Sequence, residues 1–300
     1  PVLMREGIEK ASKKVSEKLL QHSRKIESTA DISSVATISS GSKEIGEIIA
    51  KAMDTVGREG VINVDESKGF ETTLEVTEGM KYDKGFISPY MLSDREKNSV
   101  VLEDAYVLIT NYKISTIQDI LPVLEGVVEA HKPLLIIADD IEQEVVSTLV
   151  LNKIRGTFNV VATKAPGFGD NQGDTLEDIA LLVGANFINK DLNMPLKDIS
   201  IKDLGSAKKI VVEKDSTTII GGKGDKDKLA KHVKDLENAL YSEKNKSNHD
   251  QLATRLAKLS NGVALIKVGA TTESELKEKK LRIEDALNAT KAAVKEGIVI

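Results

Sequence analysis

The sequence predicts an α/β domain that is inserted into a mainly helical domain. In the middle of the chain, the apolar runs AYVLIT (105–110) and PLLIIA (133–138) have the continuous hydrophobicity of strands that are buried on both faces. Stretches with helical spacing separate and follow these runs, which is the alternation of an α/β fold. Both ends of the chain, at residues 3–21 and 272–296, combine helical periodicity with many charges.

Helices and then strands are predicted before the α/β region. Residues 3–21 carry apolar side chains at helical spacing. A second helix is predicted between Ser42, which suits an N-cap, and Gly57, which suits a helix end. Residues 60–79 then alternate in polarity around the turn-forming sequence DESKGF, and this pattern predicts a pair of strands.

Further elements follow in the middle and at the end of the chain. The sequence predicts strands at 159–165, 208–214 and 263–269, and helices at about 116–130, 140–155 and 173–184. After Asp225 it predicts two antiparallel helices, which the charged sequence YSEKNKSNHD separates. In the final helix, acidic residues precede basic residues at a spacing of four, the orientation that stabilises a helix. The predicted class is therefore α/β, or α+β when the helical part is included.

The composition excludes several classes of functional site. The chain has 42 basic and 47 acidic side chains, and the resulting net charge of −5 argues against general nucleic-acid binding. It has no cysteine, so a disulfide framework and a cysteine nucleophile are excluded. The four histidines lack the spacing of metal ligands, and we therefore expect no metal site. No run approaches the roughly 18 apolar residues of a membrane span.

We expect a cytoplasmic piece of a longer protein. The absence of cysteine fits a reducing compartment. The first residues, PVLMREG, lack the order of basic and then apolar residues that marks a signal peptide. They also lack an initiator methionine and already lie inside a helical pattern.

A loop and a helix carry more apolar side chains than their own packing explains. The loop sequence DKGFISPYML (83–92) holds Phe86 and Tyr90 among residues that break helices and central strands. The helix after IIADD has two apolar stripes, which together cover roughly twice the usual arc of about 100°. Its first stripe is Ile141, Val145 and Leu149, its second stripe is Val146, Val150 and Ile154, and Leu151 lies off both.

Two interpretations of these apolar residues stay open at this point. The helix could be buried between two layers, which is the commoner arrangement. Alternatively, its second stripe is exposed as a binding surface, together with the loop and with Leu121 and Val123 of the preceding helix.

Two glycine-rich segments raise a second functional hypothesis, a stand-alone α/β enzyme that binds phosphate. IIGGKGDKDK (219–228) opens a helix but matches neither common phosphate-binding motif. Its Asp225 and Asp227 suit a helix N-terminus but would repel a phosphate, so a plain turn and cap is the favoured interpretation. The segment APGFGD (165–170) is equally weak as isolated evidence.

Several longer strings resemble one family in order and spacing across essentially all 300 residues. They are GVINVDE, EGMKYDKGFISPYM, KPLLIIADD, KAPGFGD, STTIIGG, GVALIKVGA and ELKEKKLRIEDALNATKAAVKEG. They are similar to the GroEL-type (group I) chaperonins, and the resemblance implies the central portion of a longer subunit. It implies these segments: 1–21 and 296–300 equatorial, 22–77 and 264–295 intermediate, and 78–263 apical.

The resemblance also implies what the apical domain binds. Members of the family capture unfolded polypeptide on an apolar apical surface, and a GroES-like lid competes for the same surface. The matching positions here are Phe86, Tyr90, Met91, Leu121, Leu124, Val146, Val150 and Leu151. Met91 replaces a more usual aromatic residue and keeps an adaptable apolar side chain there.

ATP hydrolysis and ring assembly are further implications of the resemblance. The catalytic carboxylate of the family matches Asp285, which would position water against ATP and Mg in the full-length subunit. The family's phosphate-binding loops are absent from these residues, so this segment alone is expected to bind no cofactor and hydrolyse no ATP. Within a homo-oligomeric double ring, Lys84 would pair with Glu273 of a neighbouring subunit. Lys84 stands where the family often has Arg, whose bidentate fork a lysine lacks.

Overall fold

The computed structural model describes residues 1–26, 28–58, 60–93 and 98–299, and Asp170 by its backbone only. Two compact units divide the chain. The flanking unit comprises Pro1–Val76 and Ala264–Ile300, and the inserted unit comprises Thr77–Val263. Ile300, the last residue of the predicted segment 296–300, lies outside the described residues.

The helices and strands have the following bounds. The helices are α1 (Val2–His22), α2 (Thr29–Ser40), α3 (Lys43–Val56), α4 (Leu121–Ala130), α5 (Gln143–Ile154), α6 (Asp170–Val183), α7 (Lys226–Ser242), α8 (Lys246–Ser260) and α9 (Glu273–Glu296). The strands are β1 (Val61–Glu66), β2 (Thr73–Thr77), β3 (Gly79–Tyr82), β4 (Val100–Ile109), β5 (Lys113–Ile114), β6 (Leu134–Ala138), β7 (Asp140–Ile141), β8 (Val160–Lys164), β9 (Gly205–Val212), β10 (Thr217–Gly222) and β11 (Val263–Val268). The predicted α/β class is confirmed.

A three-stranded sheet and packed helices form the flanking unit. The strand order is β1-β11-β2, so β11 separates the two strands that the sequence predicted to pair. The prediction of a direct pair was therefore wrong, because a strand about 190 residues further along the chain takes the central position. Helix α2 packs against α3 and α9. Ile49, Met53, Ile266 and Ile283 are among the buried side chains of this core.

Helix α2 was not predicted from the sequence. Its composition is polar, and only Ile32, Ala36 and Ser40, spaced by four, are buried. Its ends nevertheless follow local rules. Ser28 and Asp31 form a reciprocal capping box at the start, and Gly41 adopts the left-handed conformation after the last turn.

A six-stranded mixed sheet forms the centre of the inserted unit. Its order is β3-β10-β9-β4-β6-β8, and the last three strands are mutually parallel. All five residues of β6 are buried, as its continuous apolar sequence predicts. Helix α4 connects the parallel neighbours β4 and β6, and α5 connects β6 and β8. Because such crossovers are right-handed as a rule, we expect α4 and α5 on the same face of the sheet. Helix α6 contacts β4 and β9 and also packs against α7 and α8.

Across the described ranges, no helix combines the length and the apolar character that crossing a membrane requires.

Candidate functional site

The segment 83–92 joins the two edges of the six-stranded sheet. It leaves β3, one edge strand, and Phe86 then forms an antiparallel bridge with Thr163 of β8, the opposite edge strand. The Ile87 amide donates to the Ala162 carbonyl at 2.9 Å, and the Phe86 amide donates to the Glu213 carbonyl at 3.2 Å. This segment is therefore a strap with fixed backbone partners, and we call residues 83–92 the strap.

Gly85 is required where the strap passes residues 213 and 214. A Cβ atom at this position would lie 2.1 Å from the Lys214 carbonyl oxygen and 2.2 Å from the Glu213 carbonyl oxygen. Both atoms belong to the backbone, which cannot move aside as a flexible side chain can. Only glycine allows this close approach.

The end of the strap exposes Tyr90 and buries Met91. Pro89–Met91 forms one 3-10 turn, and the Tyr90 amide donates to the Ser88 hydroxyl at 3.4 Å. Tyr90 is 75% exposed, whereas Met91 is 0% exposed and its Sδ accepts from the Ala162 amide at 3.4 Å. The placement of Met91 on an exposed capture surface was therefore wrong in this structure, because its side chain anchors the turn to β8.

Helix α5 is partly core and partly surface. The turn Pro89–Met91 packs against it, and Val146 is 2% exposed, so the second stripe is not exposed along its whole length. The expectation that Val146 is a surface contact is corrected by this burial. Val150 is half-buried, while Leu151 is 46% exposed and Ile154 is 67% exposed. Ile154 belonged to the second stripe but was missing from the predicted contact residues.

Helix α4 contributes less apolar surface than predicted. Leu121 is 41% exposed, but Leu124 and Val123 are buried. The helix packs against two short turns, Leu196–Asp198 and Ile201–Asp203. These turns were not predicted from the sequence. Because Leu124 is buried, it is a core residue rather than an exposed contact.

We call the remaining surface the apolar patch. Its exposed side chains are Tyr90, Leu121, Leu151 and Ile154, and its half-buried side chains are Phe86 and Val150. The turn Pro89–Met91 of the strap packs against α5, and the crossover rule predicts that α4 lies on the same sheet face as α5. That these residues act together as one binding surface stays a prediction.

A half-buried cation lies at the edge of the apolar patch. Lys153 of α5 donates from Nζ to the Val160 carbonyl at 3.2 Å. No carboxylate of the described residues pairs with it, and burial lowers the pKa of its ammonium group to about 8. The ammonium form is thus destabilised in the folded protein.

Asp285 lies exposed on α9, whose neighbouring residues Ile283 and Leu287 are buried in the flanking unit. Within the described part of the chain, its carboxylate makes no hydrogen bond or ion pair. The described residues also contain no group of three His, Cys, Asp or Glu side chains arranged to hold a metal ion. The structure thus shows an exposed carboxylate on α9, and the catalytic role of Asp285 stays a prediction.

Lys84 and Glu273 each have a partner in their own unit. The Lys84 ammonium lies 4.9 Å from the ring centroid of Phe168, a cation–π contact. Glu273 accepts from Lys277 Nζ at 2.7 Å, and this hydrogen bond lowers the pKa of the Glu273 carboxyl. The predicted pairing of Lys84 with Glu273 between subunits is not tested by a single chain and stays a prediction.

The glycine-rich segment at 219–228 does not form a phosphate cradle. The Lys223 and Gly224 amides donate to the carbonyls of Ser206 and Leu182, at 2.9 and 3.0 Å. Asp225 caps α7 by accepting from the amides of Asp227 and Lys228. The amides that would bind a phosphate already have protein acceptors, so the plain turn and cap is the correct interpretation.

The second glycine-rich segment, 165–170, also lacks the features of a phosphate site. The Ala165 amide donates to the Ala138 carbonyl at 2.7 Å, and the Gly169 carbonyl accepts from the Gln172 amide at 3.0 Å. Between them, Phe168 is 81% exposed beneath the Lys84 ammonium. The hypothesis of a stand-alone phosphate-binding enzyme is not supported.

Comparison with known proteins matches the whole chain to one family. The TCP-1/cpn60 chaperonin family matches residues 1–300. The chain is 65% identical over 299 residues to the chaperonin GroEL of Acholeplasma laidlawii (strain PG-8A). It is 58% identical over 300 residues to the chaperonin GroEL of Aster yellows witches'-broom phytoplasma (strain AYWB) and to that of Onion yellows phytoplasma (strain OY-M).

These alignments cover 100% of this chain and 56% of each relative, so the chain spans about half the length of the curated relatives it matches. The similarity runs without interruption through both the flanking and the inserted unit. The chain therefore belongs to the TCP-1/cpn60 chaperonin family.

Proposed function

We propose that this chain is the apical and intermediate part of a chaperonin subunit and that its apolar patch captures unfolded polypeptide. The observation that carries the proposal is the exposure of Tyr90, Leu151 and Ile154 on two elements that pack against each other, the strap and α5. A folded domain gains free energy by burying such side chains, and their exposure on neighbouring elements is typical of a binding surface.

The apolar patch suits clients without a fixed structure. Its exposed members are one aromatic ring and three aliphatic side chains, which bind mainly by removing apolar area from water. Such contacts require little geometry of the partner. An unfolded chain and the apolar loop of a GroES-like co-chaperonin would therefore compete for the same residues.

ATP hydrolysis belongs to the whole subunit in this proposal. Asp285 would supply a carboxylate that accepts a hydrogen bond from the attacking water, while ATP and Mg would be held by residues outside this chain. Subunits would assemble into a double ring in the cytoplasm, with Lys84 and Glu273 as a pair between neighbours. The segments 1–21 and 296–300 are assigned to the equatorial domain, 22–77 and 264–295 to the intermediate domain, and 78–263 to the apical domain.

The capture function is tested by suppression of aggregation without nucleotide. A denatured test protein is diluted into the chain, into a Tyr90→Glu, Leu151→Glu variant, and into a Tyr241→Glu control. Tyr241 is 94% exposed on α7, outside the apolar patch, so the control adds a charge at another exposed aromatic residue.

We expect the parent chain and the control to suppress aggregation and the double variant to lose this activity. Thermal unfolding of all three should coincide, because none of the changed residues is buried. Equal protection by the double variant would refute the apolar patch as the capture surface.

A further inference from the structure

A buried side chain connects the two edge strands of the inserted unit's sheet. Tyr82 ends β3, and Thr163 lies in β8, at the opposite end of the strand order. Their hydroxyl oxygens are 2.9 Å apart, and both residues are 0% exposed. The Tyr82 side chain thus connects β3 to the residue of β8 with which the strap forms its bridge.

A third hydroxyl group completes this buried polar cluster. Thr217 of β10 is also 0% exposed, and it donates from Oγ1 to the Lys84 carbonyl at 2.7 Å. Burial raises the pKa of Tyr82 to about 12, while hydrogen bonds with Thr163 and Thr217 oppose that rise. An aliphatic or phenyl group would fill the same space without requiring polar partners, so the hydroxyls are not needed for packing alone.

The cluster lies where the strap is attached. Thr163 pairs through its backbone with Phe86, and the preceding residue, Ala162, bonds to both Ile87 and Met91. Thr217 holds the carbonyl of Lys84. The hydroxyl cluster therefore anchors the strand segment that receives the strap and the residue at which the strap begins.

We propose that the Tyr82–Thr163 hydrogen bond is a positioning device that fixes the strap and thereby sets the affinity of the apolar patch, without touching the client. This inference rests on the proposed capture function. A strap that is already ordered loses little conformational freedom when Tyr90 binds a client. A looser strap would have to become ordered on binding, and the entropy lost in ordering it would lower the affinity. Tyr82 and Thr163 are thus positioning residues, and Tyr90 is the contact residue.

The test uses Tyr82→Phe, Thr163→Val and the double variant, which remove hydroxyl groups with little change of volume. Three quantities are measured on the chain: the Kd for a fluorescently labelled, permanently unfolded protein, amide hydrogen exchange, and global unfolding in urea. Exchange is compared between the strap amides of Ile87 and Met91 and the core amide of Leu135, which lies in β6.

We expect each single variant to bind about threefold to tenfold more weakly and to exchange the Ile87 and Met91 amides faster. The double variant distinguishes positioning from packing. Each single variant leaves one buried hydroxyl without its partner, whereas the double variant removes both hydroxyls. The global stability of the double variant should therefore return towards that of the parent chain. Its strap exchange and its weak binding should persist, which a purely structural role of the pair would not produce.

Two results would overturn the inference. One is a double variant that recovers parent affinity along with stability, and the other is faster exchange that is equal at Leu135 and in the strap. Tyr90→Glu in the same binding assay separates this inference from the capture function. If Tyr90→Glu abolishes binding and the hydroxyl variants bind normally, only the positioning role is refuted. If Tyr90→Glu also binds normally, the capture function itself is refuted.

Discussion

Arg255 donates two hydrogen bonds to the fully buried carboxylate of Asp178. The donors are Nε and Nη2, each 2.8 Å from an Asp178 oxygen. This contact raises the pKa of the Arg255 guanidinium, and His232 adds a third contact to the carboxylate at 2.7 Å. Asp178, His232 and Arg255 lie on α6, α7 and α8, so one buried carboxylate joins three helices of the inserted unit.

Arg255→Met should destabilise the inserted unit strongly. It would leave the Asp178 carboxylate buried without its main partner, which costs about 3–5 kcal/mol in comparable cases. Urea unfolding measures the loss. The matched control is Asp174→Asn, which removes the other ion pair of Arg255 at a half-exposed carboxylate and should cost less than about 1 kcal/mol. Equal losses in the two variants would contradict a structural role for the buried pair.

Local signals predicted many element boundaries. Ser42 and Gly57 flank α3 in the structure as predicted, because caps depend on neighbouring residues only. Strands β3 and β10 were missed, since GMKY is short and TTIIGG was interpreted as part of a glycine-rich loop. These two strands pair with each other across about 140 residues of sequence, and no local pattern reports such a partner.

The candidate site was predictable only in part for the same reason. Periodicity indicated that α5 has more apolar residues than one packing face needs, but it could not decide which of them are exposed. The turn Pro89–Met91 packs against the helix, Val146 is buried, and Ile154 remains exposed. The residues that the strap covers depend on where the strap is attached. It is attached through the bridge between Phe86 and Thr163, which are far apart in the sequence, so no local pattern predicts this contact.

Ile154→Ser should weaken client binding without destabilising the chain. Ile154 is 67% exposed, so its apolar area is available to a partner and contributes little to folding. We expect about a threefold to tenfold increase in the Kd for an unfolded protein and a stability change within about 0.5 kcal/mol. Leu149→Ala on the same helix is the reverse control, because Leu149 is 0% exposed and its truncation should cost about 2–5 kcal/mol. An Ile154→Ser variant with parent affinity would exclude this residue from the apolar patch.

Asp285→Asn should impair ATP hydrolysis by the full-length subunit. The amide keeps the size of the side chain but is a much weaker acceptor for a water proton, so turnover should fall about 100-fold or more. The chain's unfolding should be unchanged, because Asp285 is exposed. Glu284→Gln is the matched control, since adjacent helical residues point about 100° apart and cannot both face the same nucleotide. Similar turnover in the two variants would contradict the assignment of Asp285.

Lys153→Met should stabilise the chain near neutral pH. Burial lowers the pKa of Lys153 from 10.5 to about 8, so the folded state disfavours the ammonium form that the unfolded state keeps. The full shift corresponds to about 3 kcal/mol, and the partial exposure of Lys153 reduces the expected gain to about 1–2 kcal/mol. Urea unfolding at pH 7 measures this gain.

The pH dependence of this gain tests its cause. Below pH 8 the parent chain holds the Lys153 proton in both the folded and the unfolded state, and the destabilisation is complete. Between pH 8 and 10.5 the folded state releases the proton first, so the stability of the parent chain rises relative to the Lys153→Met variant. The difference between the two should therefore shrink as the pH increases from 8 to 10. A difference that stays constant over this range would show that methionine stabilises through packing and not by removing a buried charge.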